Sequence, residues 1–195
     1  MLITRIAAIG DVHGHAGLLK RAIGSARSWH ADLVVCVGDI AGYPDATSHC
    51  CELLSTNRIT SVRGNHDRWF LESVQRDQNI ASSVSRTAIQ YLSDLPTSVE
   101  FETTIGLGTV FHGVGANDLA SFPTTFLEPF LQRMWRLSRL RRDYRLIING
   151  HSHEQLVRTH GELMIASVGP LCGDATTGCL GIDLVGRATT PIRYS

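Results

Sequence analysis

The chain has 195 residues and a formal net charge of zero. A chain of this length can bury a sizeable core, and we expect a single domain spanning residues 1–195. Zero net charge leaves no global field to attract nucleic acid or an anionic membrane surface. Composition therefore argues against a protein that binds polyanions non-specifically.

The amino terminus and the cysteines give an expectation about location. Residues 1–6 lack the charged leader and apolar core of a signal peptide, and no stretch approaches the roughly 20 apolar residues of a membrane helix. The five cysteines are odd in number and show no Cys-x-x-Cys spacing, and Cys36 lies in an apolar run, which favours free, buried thiols. We expect no membrane partner and a cytoplasmic location.

The first third of the chain alternates strands with helices. The apolar run at residues 33–37 predicts a strand that is buried on both faces, and hence a sheet covered by helices. The alternation of strand, polar loop and helix is typical of an α/β fold. The predicted elements are strands at 2–9, 33–37 and 59–62 and helices at 14–28 and 45–56.

The remainder of the chain shows a weaker pattern. Residues 68–94 are predicted to be helical, in one or two pieces. An amphipathic helix is predicted for 126–142, with Phe126 on its core face. Strands are predicted at 98–103 and 109–111, separated by Gly106 and Gly108, and then at 145–148, 155–159, 162–168, 178–185 and 189–193.

Short polar motifs follow the strands predicted in this pattern. Ligands of open α/β sheets bind at the carboxyl ends of the strands, where the first three motifs fall. Carboxylate and imidazole groups suit divalent metal ions. The motifs are Gly10-Asp11-Val12-His13-Gly14, Gly38-Asp39, Gly64-Asn65-His66-Asp67, His112-Gly113 and Gly150-His151-Ser152-His153.

The polar residues of these motifs are too many for one tetrahedral ion, and their mixture of oxygen and nitrogen fits two divalent ions. Paired metal ions are typical of phosphatases and nucleases. Such a pair needs a bridging carboxylate, and Asp39 is the natural candidate. The full candidate set is Asp11, His13, Asp39, Asn65, His112, His151 and His153.

These motifs, complete and in this order, resemble the calcineurin-like metallophosphoesterase superfamily across residues 10–153. The stretches 38–43, 63–68 and 167–170 look most like those of the small bacterial single-domain phosphodiesterases. The resemblance implies a four-layer α/β/β/α sandwich with two mixed β-sheets. It also implies a dinuclear-metal phosphoesterase, most closely a phosphodiesterase, that uses a metal-bridging hydroxide as nucleophile.

The same resemblance implies a role for each motif residue. His66 would be the general acid that protonates the leaving alkoxide. Mn²⁺ is the first candidate for both ions, with iron, nickel, cobalt and zinc as alternatives. One ion would be held by Asp11, His13 and His153, the other by Asn65, His112 and His151, with Asp39 bridging them.

The chain departs from the superfamily pattern after Asp39. Protein Ser/Thr phosphatases and symmetrical dinucleoside polyphosphate hydrolases carry an Asp and an Arg where this chain has Gly42 and Tyr43. This departure lowers the expectation for both activities and leaves open what orients His66, because adjacent residues such as Asp67 rarely face each other. A phosphomonoesterase or phosphoprotein phosphatase remains an alternative, as does a metal-bound non-catalytic scaffold, although such scaffolds lack the acid histidine.

The expected partner is a small phosphoester, and three residues are candidate contacts to it: Arg68, Asn117 and Asp118. Ordinary turn and capping roles explain these residues equally well. Trp69 either borders the pocket or packs in the core. Arginines recur every three residues along the predicted helix 126–142, and we favour a solvated helix face there over a nucleic-acid surface.

Overall fold

The computed structural model describes residues 2–125, 127–137, 139–171 and 177–194. Its helices and strands follow one another in the α/β pattern that the sequence predicts. In chain order they are β1 (Arg5–Ile9), α1 (Ala16–Ser28), β2 (Leu33–Cys36), α2 (Pro44–Thr56), β3 (Thr60–Ser61), α3 (Asn65–Arg76), α4 (Gln78–Ser83), α5 (Arg86–Asp94), β4 (Ser98–Thr103), β5 (Gly106–Phe111), α6 (Leu127–Arg136), β6 (Leu146–Asn149), β7 (Leu156–His160), β8 (Leu163–Ser167), β9 (Cys179–Asp183) and β10 (Ala188–Pro191).

The strands form two mixed five-stranded sheets, which confirms the predicted fold class. In the first sheet the order is β10-β9-β1-β2-β3, with β1, β2 and β3 parallel and β9 antiparallel to β1. In the second the order is β4-β5-β6-β8-β7, with β5, β6 and β8 parallel. No helix within the described part of the chain has the length and apolar content needed to cross a membrane.

The sheets pack face to face, and helices cover their outer faces. In β1, Ile6 and Ala8 lie in the cluster between the sheets, whereas Ala7 and Ile9 pack against the helical layer that includes α1 and α2. In β6, Ile148 faces the other sheet and Ile147 faces the cluster formed with α6. Both faces of these strands are thus buried, which explains their continuous apolar sequences.

The helical segment after β3 has more breaks than the sequence predicts. Residues 65–94 form three helices, not one or two pieces within 68–94. The Asp77 side chain accepts a hydrogen bond of 2.8 Å from the Asn79 backbone N–H, and the Ser85 hydroxyl accepts one of 3.2 Å from Ala88. Asp and Ser are favoured helix N-caps, so each of them starts a new helix.

The prediction of a helix over 126–142 was also wrong at its carboxyl end. Helix α6 ends at Arg136, and Phe126 lies outside the described residues. The Arg139 N–H donates to the Met134 carbonyl, five residues back, at 2.9 Å, which closes the helix with a wider turn. Arg139 and Arg142 therefore lie beyond α6, and the arginines do not form a stripe along one helix face.

Strand β5 is longer than the predicted 109–111 and contains both glycines. It begins at Gly106 and pairs with the whole of β4. A Cβ added at Gly108 would lie 2.5 Å from Phe101 Cε2. Glycine is thus used inside this strand because the Phe101 ring covers the backbone opposite it.

Candidate metal centre

The seven candidate ligands follow parallel strands of both sheets, six of them in loops and Asn65 as the first residue of α3. The first sheet supplies four of them after β1, β2 and β3, and the second supplies three after β5 and β6. The structure brings the two sets together, because Asp39 Oδ2 is 3.3 Å from His112 Nε2. The candidates in chain order are Asp11, His13, Asp39, Asn65, His112, His151 and His153.

The first group of ligand atoms belongs to Asp11, His13 and His153. One atom from each lies within 4.8 Å of the others. His13 Nε2 is 3.1 Å from His153 Nε2, and His153 Nε2 is 3.3 Å from Asp11 Oδ2. These distances fit a single cation shared by two imidazoles and a carboxylate.

The second group belongs to Asn65, His112 and His151. Asn65 Oδ1 is 2.9 Å from His112 Nε2 and 3.0 Å from His151 Nδ1. His112 Nδ1 lies 2.8 Å from the Val37 carbonyl and donates to it, so Nε2 is the ring nitrogen that would face Asn65 with a lone pair once a cation replaces its proton. An oxygen and a nitrogen lone pair that converge in this way fit a cation held between them.

Asp39 lies between the two groups. Its Oδ2 is 3.3 Å from His112 Nε2 on one side and 3.9 Å from His13 Nε2 on the other. Its Oδ1 accepts a hydrogen bond of 2.9 Å from the His66 backbone N–H, which fixes the carboxylate plane. Its geometry suits a carboxylate that contacts two cations.

The electrostatics of the cluster favour a positive charge beside the Asp39 carboxylate. Burial alone would lower the pKa of His112, but the hydrogen bond and charge of Asp39 outweigh it and raise that pKa to about 9. Burial lowers the pKa of His13 to about 4, so this imidazole is neutral near pH 7, as metal ligation requires. Burial also raises the pKa of Asp11 to about 7, and a cation beside it would favour the charged carboxylate.

The backbone at the centre is strained. Seven non-glycine residues in the described chain have positive φ, and four of them are candidate ligands. Left-handed backbone is costly for residues with a Cβ and clusters at functional sites. The four are His13 (φ 45°), Asp39 (φ 48°), His151 (φ 67°) and His153 (φ 57°).

Two glycines allow the loops to approach the carboxylates. A Cβ at Gly64 would overlap Asp39 Oδ1, and one at Gly150 would overlap Asp11 Oδ1. Each glycine directly precedes a candidate ligand in the sequence. The glycines of the Gly-Asn-His-Asp and Gly-His-x-His motifs are therefore needed because a neighbouring carboxylate lies against the backbone.

His66 lies on the solvent-exposed side of the centre, in the first turn of α3. Its ring centroid is 4.7 Å from that of His13 and 5.1 Å from that of Trp69. Across the described ranges, no carboxylate accepts a hydrogen bond from this imidazole. Two neighbouring rings therefore pack beside His66, and one of its ring nitrogens lies within 4.8 Å of a carboxylate oxygen of Asp39.

Asp67 is a supporting residue that sequence reasoning left without a role. It is fully buried, and it accepts hydrogen bonds of 2.8 Å from the backbone N–H groups of Ile40, Ala41 and Gly64. It thereby ties the loop of Asp39 to the loop of Asn65. The sequence did contain a signal for this role, because an acidic residue three positions after a helix N-cap commonly accepts a hydrogen bond from the N–H of the cap residue.

The departure at Gly42 and Tyr43 has a structural cause. A Cβ at Gly42 would lie 2.7 Å from the His13 carbonyl oxygen and 2.8 Å from Gly14 Cα. An Asp at position 42 would therefore displace the loop that carries His13. Tyr43 is 86% exposed.

The candidate substrate residues lie near the centre, but two of them bind each other. Arg68 donates from Nε and Nη2 to the Asp118 carboxylate at 2.9 and 3.2 Å. Both line a depression of about 250 Å³ that also borders His112 and Arg63. Asn117 is exposed in the adjoining loop, and its Oδ1 accepts a hydrogen bond of 3.1 Å from the Leu119 N–H.

Sequence comparison gives the class of protein that this fold and site define. The model of the calcineurin-like phosphoesterase superfamily domain matches residues 4–183, so the chain belongs to the calcineurin-like phosphoesterase superfamily. This is a superfamily of hydrolases whose members generally bind divalent metals.

Among curated relatives, the chain is 32% identical over 72 residues to serine/threonine-protein phosphatase 1 of Salmonella typhimurium, covering 36% of this chain and 33% of that protein. The chain spans about a third of the length of the curated relatives it matches, at 28% and 33%.

Solved structures share the fold at low sequence identity. A metallophosphoesterase from Sphaerobacter thermophilus is 21% identical, with a TM-score of 0.69 over 98% of this chain and 88% of that chain. An archaeal phosphodiesterase is 15% identical, with a TM-score of 0.60 over 95% of this chain and 96% of that chain.

Proposed function

We propose that the protein is a phosphodiesterase that works with two divalent metal ions. The observation that carries this proposal is the convergence of two ligand groups on the Asp39 carboxylate, with Oδ2 at 3.3 Å from His112 and 3.9 Å from His13. A single ion would leave one of these groups without a function. Two ions are what phosphoester hydrolysis commonly uses.

The residues of each group fit the cation assigned to them. When bound, the pair of ions lowers the pKa of a water and holds phosphoryl oxygens. Carboxylate, amide and imidazole ligands suit manganese, our first choice, and also iron, nickel, cobalt and zinc. One ion would be held by Asp11, His13 and His153, the other by Asn65, His112 and His151, with Asp39 contacting both.

His66 is the general acid in this proposal. Its ring lies beside His13, at the open face where a leaving group would depart. An exposed imidazole can donate a proton to the leaving alkoxide and recover it from solvent. The neighbouring rings of His13 and Trp69, at 4.7 and 5.1 Å, restrict its orientation.

The charges around the centre favour a diester over a monoester. A monoester carries more negative charge, and relatives that cleave it carry an arginine where this chain has the exposed Tyr43. The nearby Arg68 is already neutralised by Asp118 at 2.9 Å and by Glu72 at 3.4 Å. A singly charged diester therefore matches the remaining positive charge better.

A phosphatase acting on monoesters is the second candidate. The similarity to serine/threonine-protein phosphatase 1 favours it. Arg63 adds to this, because its guanidinium borders the depression beside His112 and no acidic side chain in the described residues pairs with it. Arg68, Asn117 and Asp118 remain proposed substrate contacts in either case.

A single domain and a cytoplasmic location complete the proposal. The match to the superfamily runs over residues 4–183 and leaves no long segment for another domain within this chain. Cys36, Cys50, Cys51 and Cys179 are free and buried, which suits a reducing compartment. Cys172 lies outside the described residues.

The test compares two aryl substrates on one protein. The metal-free protein is reconstituted with manganese and assayed on bis(4-nitrophenyl) phosphate and on 4-nitrophenyl phosphate, beside an Asn65→Ala variant. We expect diester hydrolysis that requires both manganese and Asn65. Preference for the monoester would replace the proposal by the phosphatase alternative, and inactivity with two ions bound per chain would overturn both.

A further inference from the structure

Trp69 is a large apolar residue that the core does not use. Its side chain is 44% exposed. In the same helix, Phe70, Leu71 and Val74 pack against the apolar cluster beneath α3, whereas Trp69 belongs to none of the three clusters of the described residues. Core packing therefore does not explain this residue.

The neighbours of the indole ring are polar groups of the candidate site. The ring centroid is 5.1 Å from that of His66, the proposed acid, and the planes are inclined by 57°. The Arg68 guanidinium lies 5.8 Å from the ring and is held there by Asp118. One edge of the indole thus adjoins His66, and much of the ring faces solvent beside the metal centre.

The position of His66 determines what reaches this ring. A general acid must come within hydrogen-bond distance of the leaving oxygen. The group attached to that oxygen then lies next to His66, where Trp69 supplies the adjoining apolar surface. An aromatic ring carried by the leaving alcohol can stack on the indole, since every aromatic heterocycle or benzene ring has a face that fits another.

We propose that Trp69 is a binding platform for an aromatic group on the leaving side of the substrate. The inference rests on the proposed phosphodiesterase function and names a substrate class for it. The class is phosphodiesters whose leaving alcohol bears an aromatic ring, such as a nucleoside or a benzylic alcohol. Trp69 is then a specificity-determining residue and takes no part in the chemical step.

The first experiment separates aromatic stacking from general apolar contact. The manganese-loaded protein is assayed for release of benzyl alcohol from methyl benzyl phosphate and of cyclohexylmethanol from methyl cyclohexylmethyl phosphate, two leaving alcohols of similar size. We expect kcat/KM to favour the benzyl ester by about tenfold, the effect of one stacked ring. Trp69→Leu should abolish this preference by losing activity on the benzyl ester alone, and Trp69→Phe should retain most of it.

Tyr43→Leu is the matched control, because Tyr43 is another exposed aromatic residue, located after Asp39. This variant should leave the ratio of kcat/KM on the two esters unchanged. Thermal unfolding of each variant checks that the fold is kept. An equal loss of activity on both esters in Trp69→Leu would mean that Trp69 has a structural role and would overturn the platform. Full activity of Trp69→Leu on both esters would also overturn it. Loss of the preference in Tyr43→Leu alone would also overturn it.

A binding measurement distinguishes failure of this inference from failure of the proposed function. If the metal-loaded protein cleaves neither ester nor bis(4-nitrophenyl) phosphate, the phosphodiesterase proposal fails. Calorimetry with benzylphosphonate and cyclohexylmethylphosphonate then decides on Trp69. Tighter binding of the benzyl compound that Trp69→Leu removes would support the platform without catalysis, and equal binding of the two compounds would overturn it.

Discussion

Asp39 lies between a ligand group that is on average more buried, here called the buried half, and one that is on average more exposed, here called the open half, although Asp11 of the open half is itself fully buried. On the buried side, His112 has a side chain only 1% exposed, and its Nδ1 is committed to the Val37 carbonyl. On the open side, His153 has a side chain that is 50% exposed, and His13 one that is 20% exposed. The same types of ligand thus lie in two different environments within a few ångströms.

This difference suggests a division of roles between the halves. Ligands that are buried and hydrogen-bonded to the backbone hold a cation with little reorganisation, because their rotamers are already fixed. Ligands at the surface leave room for a substrate, and His66, the proposed acid, is on that side. We therefore expect the buried half to retain its ion more tightly and the open half to exchange its ion and meet the substrate.

The largest effect should come from removing the residue between the halves. Asp39→Ala deletes the carboxylate that faces both ligand groups, so both ions should be lost. Since each ion supplies several kcal/mol of stabilisation to the reaction, we expect activity to fall by more than about 10,000-fold. Elemental analysis of the purified variant measures the loss, and full metal content would contradict the bridging role.

Removing His66, the proposed acid, should impair the chemical step and leave both metal sites intact. His66→Ala should keep both ions and lose about 100- to 1,000-fold in kcat on a diester with a poor leaving group. A 4-nitrophenyl ester needs little protonation and should lose much less. Comparing the two substrates at full metal occupancy is the check, and equal losses on both would argue that His66 acts in another way.

The asymmetry can be measured by deleting one histidine from each half. His112→Ala and His153→Ala should each weaken manganese binding by at least about tenfold. Only His112→Ala should also destabilise the metal-free protein, by about 1–3 kcal/mol, because the buried Val37 carbonyl loses its donor. Added imidazole should restore activity to His153→Ala, where solvent has access, and rescue of His112→Ala would contradict the proposed difference.

The smallest effect should come from changing Asp67, the buried carboxylate that links the backbone near Asp39 to that near Asn65. The Asp67 carboxylate accepts hydrogen bonds from three backbone N–H groups. In Asp67→Asn one carboxylate oxygen becomes an NH₂ group, so two donors face each other at one of these positions. We expect a loss of about 1–3 kcal/mol in the free energy of unfolding, measured by urea denaturation. Glu72→Gln, on the exposed side of the same helix, is the control and should change stability little.

Much of this architecture could be predicted because it depends on local patterns. The strand at 33–37 was evident from its five apolar residues, and the positions of the candidate ligands followed from the order of the motifs. Contacts between distant segments left weaker signals. The role of Asp67 depends on backbone groups 26 and 27 residues away, and the exposure of Trp69 depends on which side of α3 faces the core.

Helix ends and backbone strain were also beyond prediction. The sequence contains no glycine or proline near Arg136 to mark a helix end, so its apolar periodicity predicts a helix as far as residue 142. Likewise, nothing in the letters Asp39 or His153 indicates a positive φ. These conformations are imposed by the packing of two sheets and five loops, which propensity alone does not describe.

Because loops from both sheets meet at the candidate metal centre, its geometry depends on how the two sheets pack against each other. Asp39 comes from one sheet and His112 from the other, and their atoms meet only when the apolar layer between the sheets is in register. A cation held there would link folding to binding, since unfolding of either sheet would release it. Amides of β1 and β6 should then exchange with solvent together, and metal should slow both to the same extent.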